Sequence, residues 1–130
     1  MTEKLSEVLQ DRFSAYVKAF TDEDYEGIVG FFSIPALLIQ PTGAVTFNQP
    51  QMIEAVMRQL HQSLPENYAS TKLIDFEVFR FTGEVAAAHA KYDRLTGEGD
   101  ILSSEEGFYY FAQEEGEWKI CSVVLMKGLR

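Results

Sequence analysis

Short glycine-containing turns divide the second half of the chain into four long segments rich in β-branched and aromatic residues. The predicted strands are Ser70–Phe81, Val85–Leu95, Ile101–Gln113 and Glu117–Met126. Strands joined in series by hairpins form an antiparallel meander. The pattern therefore predicts a four-stranded sheet, and the first half of the chain must supply the elements that cover it.

The first segment of the chain shows the apolar periodicity of a helix. Apolar residues recur every three or four positions over Glu3–Phe20, which predicts one amphipathic helix. A second helix is expected to begin at Thr21, whose hydroxyl can cap free amide groups ahead of three acidic residues. Pro35 cannot continue that helix, so we expect it to end earlier.

A short strand pair and a third helix are predicted next. Ala36–Gln40 and Ala44–Phe47 flank a Pro-Thr-Gly turn and have the apolar character of strands. Asn48 followed by Gln51 resembles a capping box, with a proline in the first turn of the helix that follows. Helices first and strands afterwards favour an α+β fold over alternating βαβ units. We expect a single domain over residues 1–130.

Charge and cysteine content narrow the range of partners. The formal net charge is −9, which repels phosphate backbones and anionic lipid surfaces, so we expect no nucleic-acid partner and no membrane partner. No apolar run reaches the roughly 18 residues of a membrane span. Cys121 is the single cysteine, and the N-terminus lacks the apolar core of a secretory signal. These features predict a cytoplasmic protein.

Both faces of the last two predicted strands are apolar. Phe108 and Tyr110 alternate with Tyr109 and Phe111, so one apolar set must point away from the helices. Helices can cover one face of the sheet, and a second copy of the chain is the simplest cover for the other. We therefore expect a homodimer that packs through the outer sheet face.

The order of elements resembles the nuclear transport factor 2-like superfamily, which includes ketosteroid isomerase, scytalone dehydratase and the SnoaL-like polyketide cyclases. The resemblance covers about Leu5 to Met126 and is carried by Phe20–Tyr25, Phe32–Ala36 and Gly116–Ile120. It implies a cystatin-like roll, in which a curved antiparallel sheet forms a cone and three N-terminal helices pack on its concave face. It also implies an apolar pocket, open at one end, for small hydrophobic molecules.

Compared with ketosteroid isomerase, the position of the catalytic base carries a different type of residue. Gln40 stands where that enzyme carries its base, and an amide cannot take a proton at neutral pH. Gln40 would then either orient a ligand or face solvent at the strand end. Tyr16 matches the donor tyrosine, with a core position as the alternative. Glu106 lies near the position of the acid, with a register uncertain by one residue.

His89 is the acid/base candidate by residue type. Alternation places it on a face with Lys91 and Asp93, whereas Ala88 and Tyr92 belong to the more apolar face. The apolar face is expected to be the pocket side. His89 therefore belongs either to the dimer face or, if the assignment of faces is reversed, to the pocket.

The expected function is the binding of a small hydrophobic molecule, cyclic or polyketide-like, with isomerase, cyclase or dehydratase chemistry as an option. The candidate ligand-binding residues are Tyr16, Phe20, Phe32, Gln40, Met57, Tyr92, Tyr110 and Trp118. No histidine and cysteine cluster has metal-ligand spacing, so we expect no metal and no cofactor. The alternative is a homodimeric interaction module with a collapsed pocket and no enzymatic activity.

Overall fold

The computed structural model describes residues 2–126, which form three helices and six strands. The helices are α1 (Thr2–Thr21), α2 (Tyr25–Val29) and α3 (Pro50–Gln62). The strands are β1 (Phe32–Gln40), β2 (Gly43–Phe47), β3 (Tyr68–Phe81), β4 (Val85–Thr96), β5 (Ile101–Glu114) and β6 (Glu117–Leu125). The predicted α+β class is confirmed. None of these described helices has the length and hydropathy needed to cross a membrane.

All six strands belong to one open sheet in the order β2-β1-β6-β5-β4-β3. The predicted meander of β3 to β6 is confirmed, with antiparallel pairing throughout. The short pair joins it through a parallel contact between β1 and β6, in which Leu38 lies beside Val123. Register shifts interrupt β3, β4 and β5 and are typical of β-bulges, which bend a sheet.

The helices cover the concave face of this curled sheet. Leu9, Phe13, Tyr16 and Phe20 are the buried positions of α1, at the spacing of one helical face. The Phe13 ring lies 4.7 Å from the Tyr109 ring on β5. The buried face of β4 carries three small residues, Ala86, Ala88 and Ala90, followed by Tyr92. The predicted orientation of β4 is therefore correct.

The caps of α2 and α3 differ from the predicted ones. Thr21 belongs to α1, and the N-cap of α2 is Asp24, whose Oδ1 accepts a 3.0 Å hydrogen bond from the Gly27 amide. The N-cap of α3 is Gln49, with extended backbone and no side-chain cap bond, whereas Asn48 was expected to cap. A proline at the first helical position forces the residue before it out of helical geometry, which makes Gln49 the cap.

The first strand is longer than predicted. It begins at Phe32 and includes Pro35, a residue that a regular central strand excludes. The pairing between β1 and β6 is irregular between Phe32 and Leu37, so Pro35 lies at a break in the ladder. Because the ladder is interrupted here, β1 can include Pro35 and continue to Gln40, which ends the strand at the β1–β2 turn.

The Asp24 cap can be tested by substitution. Asp24→Ala removes the acceptor for the Gly27 amide and should lower the free energy of unfolding by about 1 kcal/mol. Urea denaturation measures the change. The control is Glu26→Ala, an exposed acidic residue in the same helical turn, which should cost no more than a few tenths of a kcal/mol. Equal losses in the two variants would contradict the capping role.

Candidate functional site

A cavity of about 300 Å³ lies between the helices and the concave face of the sheet. Its walls come from α1, α3, β1, the β1–β2 turn and strands β3 to β6. Most of the wall is apolar, with Phe13, Val17, Leu60 and Leu125 among the lining residues. The volume is at the lower end of the range for small-molecule sites, and the apolar wall is typical of them.

The structure brings five of the predicted ligand-binding residues to this cavity. They are Tyr16, Phe20, Gln40, Met57 and Tyr92. Tyr16 and Phe20 come from the buried stripe of α1, Met57 comes from α3, and Gln40 ends β1 at the β1–β2 turn. The cavity is therefore formed by elements that lie far apart in the sequence.

Three other predicted residues do not line the cavity. Tyr110 pairs with Ala87 on the outer face of the sheet and is 37% exposed, because Tyr109 and Phe111 take the inward positions of β5. Phe32 and Trp118 are buried in the core away from the cavity wall. Alternation alone did not distinguish core residues from residues that border a void.

Three tyrosine side chains approach the cavity from α1, β4 and β5. The Tyr92 and Tyr109 hydroxyls lie 3.4 Å apart, and the Tyr16 hydroxyl lies 3.9 Å from the Met57 sulfur. Burial raises the pKa of Tyr16 and of Tyr92 above the ordinary value, and raises the pKa of Tyr109 well above it. Arg94 acts in the opposite direction on all three. At neutral pH the three phenols are protonated, so they can donate hydrogen bonds to a ligand oxygen.

A glycine sets the space around Tyr109. Gly107 precedes it on the same face of β5, and an added Cβ there would lie 3.0 Å from Tyr109 Cε1. Real Cβ atoms rarely come this close, so any side chain at position 107 would push the phenol ring. The absence of a side chain at Gly107 therefore leaves room for the Tyr109 ring beside it on β5.

Arg94 and Glu105 add charge to the cavity wall. The Arg94 guanidinium lies 5.5 Å from the ring centroids of both Phe20 and Tyr92, within cation–π range. Glu105 is 6% exposed and pairs in register with Tyr92. Because Arg94 follows Tyr92 by two residues on β4, its side chain and that of Glu105 belong to the same face of the sheet.

The inward carboxylate is Glu105, one residue from the predicted Glu106. Residues on β5 alternate inward from Tyr109 through Gly107 to Glu105. The structure places Glu105 at the inward position, within the one-residue uncertainty of the predicted register, and counting back from the buried Tyr109 in steps of two is the signal that fixes it. Arg94 was missed because a basic residue in a strand is ordinarily on the solvent side.

His89 lies on the outer face and does not line the cavity. Its Nε2 is 2.5 Å from Glu106 Oε2, and its ring stacks on Phe108 with centroids 4.8 Å apart. Glu106 contributes to the cavity lining, but its carboxylate is engaged by His89. Of the two faces expected for His89, the structure selects the one away from the cavity.

The described side chains do not form a metal-binding cluster. Across residues 2–126, no group of three or more His, Cys, Asp or Glu side chains could hold a metal ion. Cys121 is a free thiol on β6, where its sulfur lies 3.3 Å from the Tyr110 carbonyl oxygen. The polar groups that the chain itself brings to the cavity include the tyrosine hydroxyls, the Arg94 guanidinium and the Glu105 carboxylate.

A curled, mainly antiparallel sheet with three helices on its concave side and a cavity between them defines the cone-shaped α+β class. A family model described as "NTF2-like protein (DUF6841)" matches residues 3–127. The chain therefore belongs to this family of NTF2-like proteins, and the resemblance noted in the sequence is confirmed. No curated protein matches the chain.

Solved structures share this fold at low sequence identity. A protein of unknown function with a cystatin-like fold from Nostoc punctiforme superposes with a TM-score of 0.80 at 10% identity, over 95% of this chain and 89% of that one. An NTF2-like protein from Novosphingobium aromaticivorans superposes with a TM-score of 0.74 at 15% identity, over 94% of this chain and 82% of that one. A dehydratase candidate of the NTF2-like family from Streptomyces avermitilis superposes with a TM-score of 0.74 at 13% identity, over 97% of both chains. These likenesses establish the fold.

The buried phenols predict a loss of stability in alkali. Burial gives these tyrosines a higher pKa in the folded chain than in the unfolded chain. Each tyrosine therefore contributes its full stability at a pH below the pKa of the unfolded chain, and this contribution is lost as the pH rises towards the pKa of the folded chain. Above pH of about 10, each such tyrosine should lower the unfolding free energy by up to about 1.4 kcal/mol per pH unit. In Tyr92→Phe the decline should be shallower than in the wild type. Urea denaturation from pH 9 to 11 measures it, and the same variant at pH 7 is the control. Parallel curves would contradict the assignment.

Proposed function

We propose that this protein binds a small hydrophobic molecule, cyclic or polyketide-like, in the cavity between its helices and its sheet. The observation that carries the proposal is a largely apolar cavity of about 300 Å³, whose lining includes three buried tyrosines, Arg94 and the buried Glu105. A collapsed pocket would not leave this space. The single cysteine is consistent with a role in the cytoplasm.

The tyrosine hydroxyls suit a ligand that carries a carbonyl or hydroxyl oxygen. Tyr92 and Tyr109 are close enough to act on one oxygen. Each is protonated at neutral pH, since the ordinary pKa of tyrosine is about 10 and burial raises it further. In an apolar surrounding, a hydrogen bond to such a group orients the ligand and discriminates against analogues that lack the oxygen. Gln40 can contribute a further amide contact at the β1–β2 turn.

The same groups are suited to isomerase, cyclase or dehydratase chemistry. Such a step moves a proton and builds negative charge on an oxygen. Glu105 is the buried carboxylate of the lining and is proposed as the proton acceptor, while the phenols would stabilise the charged oxygen. The solved dehydratase candidate from Streptomyces avermitilis, which shares the fold, is consistent with this class of reaction.

A homodimer through the outer sheet face is proposed alongside ligand binding. Phe79, Val85 and Tyr110 are 44%, 50% and 37% exposed. The Phe79 ring contacts the outward Phe108 ring with centroids 6.1 Å apart, so these residues form a contiguous apolar surface. The nearby His89 side chain is already hydrogen-bonded to Glu106, so a partner could cover this pair without leaving either polar group unpartnered.

A substitution that fills the cavity tests ligand binding. The wild type should enhance the fluorescence of N-phenyl-1-naphthylamine, a neutral aromatic probe, on titration. Leu60→Trp places an indole in the cavity wall and should weaken binding at least about tenfold. Gln59→Trp, at the adjacent exposed position of α3, is the control and should bind as the wild type does. No binding by the wild type, or equal binding by Leu60→Trp, would contradict the proposal.

Introducing charge on the outer face tests the dimer. Wild-type protein at micromolar concentration should elute and scatter light as a dimer. Tyr110→Asp should yield a monomer, because it places a carboxylate at the centre of the apolar surface. Val8→Asp adds the same charge at a 42% exposed apolar residue on α1 and should leave the dimer intact. A monomeric wild type, or dissociation caused by Val8→Asp alone, would reject the outer face as the interface.

A further inference from the structure

We propose that the ligand is elongated and ends in an uncharged polar group, and that this end occupies a second chamber between α1 and β3. The inference rests on the proposed function, because it concerns the same bound molecule. It adds the ligand's shape and the chemistry of one end. The apolar body would fill the main cavity, and the polar end would reach the surface beside α1.

The second chamber measures about 220 Å³ and adjoins the main cavity. Its lining residues are Phe13, Ser14, Val17, Lys18, Thr21, Thr71, Leu73 and Tyr92. Four of them, namely Phe13, Val17, Thr71 and Tyr92, also line the main cavity. The two spaces are therefore neighbours that share one wall.

The two chambers reach the surface at different places. The main cavity is bordered by exposed Pro41 and Thr42 of the β1–β2 turn. The second chamber is bordered by exposed Ser14 and Lys18 on α1. A molecule that fills both would run from the β1–β2 turn to the outer side of α1 and would pass between the side chains of the shared wall, so it must be elongated and narrow.

Hydrogen bonds brace the gap between α1 and β3. The Tyr68 hydroxyl lies 3.1 Å from Thr21 Oγ1 at the end of α1 and 2.7 Å from Thr71 Oγ1 on β3. This bridge ties the helix to the strand beside the second chamber, where Thr21 and Thr71 are lining residues. The gap is thus bordered by fixed contacts and is suited to a preformed subsite.

The chamber becomes polar towards its outer end, but it offers no unopposed positive charge. The Lys18 ammonium is 2.7 Å from the Asp22 carboxylate, and the whole chain carries a formal charge of −9. A carboxylate on the ligand would meet this negative field. A hydroxyl would instead hydrogen-bond with the Ser14 hydroxyl at the rim, so an uncharged polar end is favoured.

A series of straight-chain alcohols measures the length of the site. Hexanol, octanol, decanol and dodecanol would each be titrated against the wild-type complex with N-phenyl-1-naphthylamine, and displacement gives the affinity. Each added methylene that is buried should tighten binding about fourfold. We expect the gain to continue to dodecanol, and we expect dodecanol to bind more tightly than dodecanoate at pH 8.

Variants that block the second chamber identify which space the longer chains use. Ser14→Trp places an indole at the rim of the chamber, and the gain with chain length should then stop partway through the series. Gln10→Trp is the matched control, one turn earlier on the exposed side of α1 and outside both chambers, and should keep the full gain. Lys18→Trp, at another rim position, replaces Ser14→Trp if that variant does not fold.

The outcomes separate this inference from the proposed function. If the wild type binds the probe and the short alcohols but gains nothing with longer chains, the second chamber is rejected and the main cavity stands. If the rim variants keep the full gain with length, the second chamber is likewise rejected. Tighter binding of dodecanoate overturns the uncharged end group. Failure of the wild type to bind the probe or any alcohol rejects both proposals.

Discussion

The packing of α1 against aromatic residues of the sheet is the contact on which the rest of the structure depends. Phe13 is fully buried and contacts rings on β3, β4 and β5, which fixes the helix across the concave face. The inward face of β4 carries Ala88 and Ala90 ahead of Tyr92, and both alanines are fully buried. Ring contacts therefore hold the helix on the sheet, and the same rings of Phe13, Tyr92 and Tyr109 border the cavity beside them.

The fold could be predicted from sequence because its signals are local. The helical stripe of α1 and the hairpin turns of the meander each arise within one segment, and all of them agree with the structure. The helix N-caps and the pairing of strands far apart in the sequence were harder to predict. Pro50 displaced the N-cap of α3 by one residue, and the parallel contact between β1 and β6 joins residues such as Leu38 and Val123 that no periodicity connects.

The candidate site was partly predictable for the same reason. Tyr16 and Tyr92 were placed at the cavity because each lies on a continuous apolar face. Tyr110 was misplaced, and the inward carboxylate was left uncertain by one residue, because the inward parity of β5 depends on its pairing with β4. Whether a buried aromatic borders a void or other side chains depends on packing in three dimensions, as Trp118 illustrates.

The alternation of β5 has an evolutionary consequence. Glu105, Gly107 and Tyr109 point into the cone, while Phe108 and Tyr110 point out of it, so one backbone carries two unrelated surfaces. Inserting or deleting a single residue here would exchange the two sets, sending the tyrosine that faces the cavity to the exterior. Point substitutions can alter either surface alone, but length changes within this strand would damage both together. Diversification of such a protein is therefore expected to proceed by residue replacement in β5 and by insertions elsewhere, in the turns.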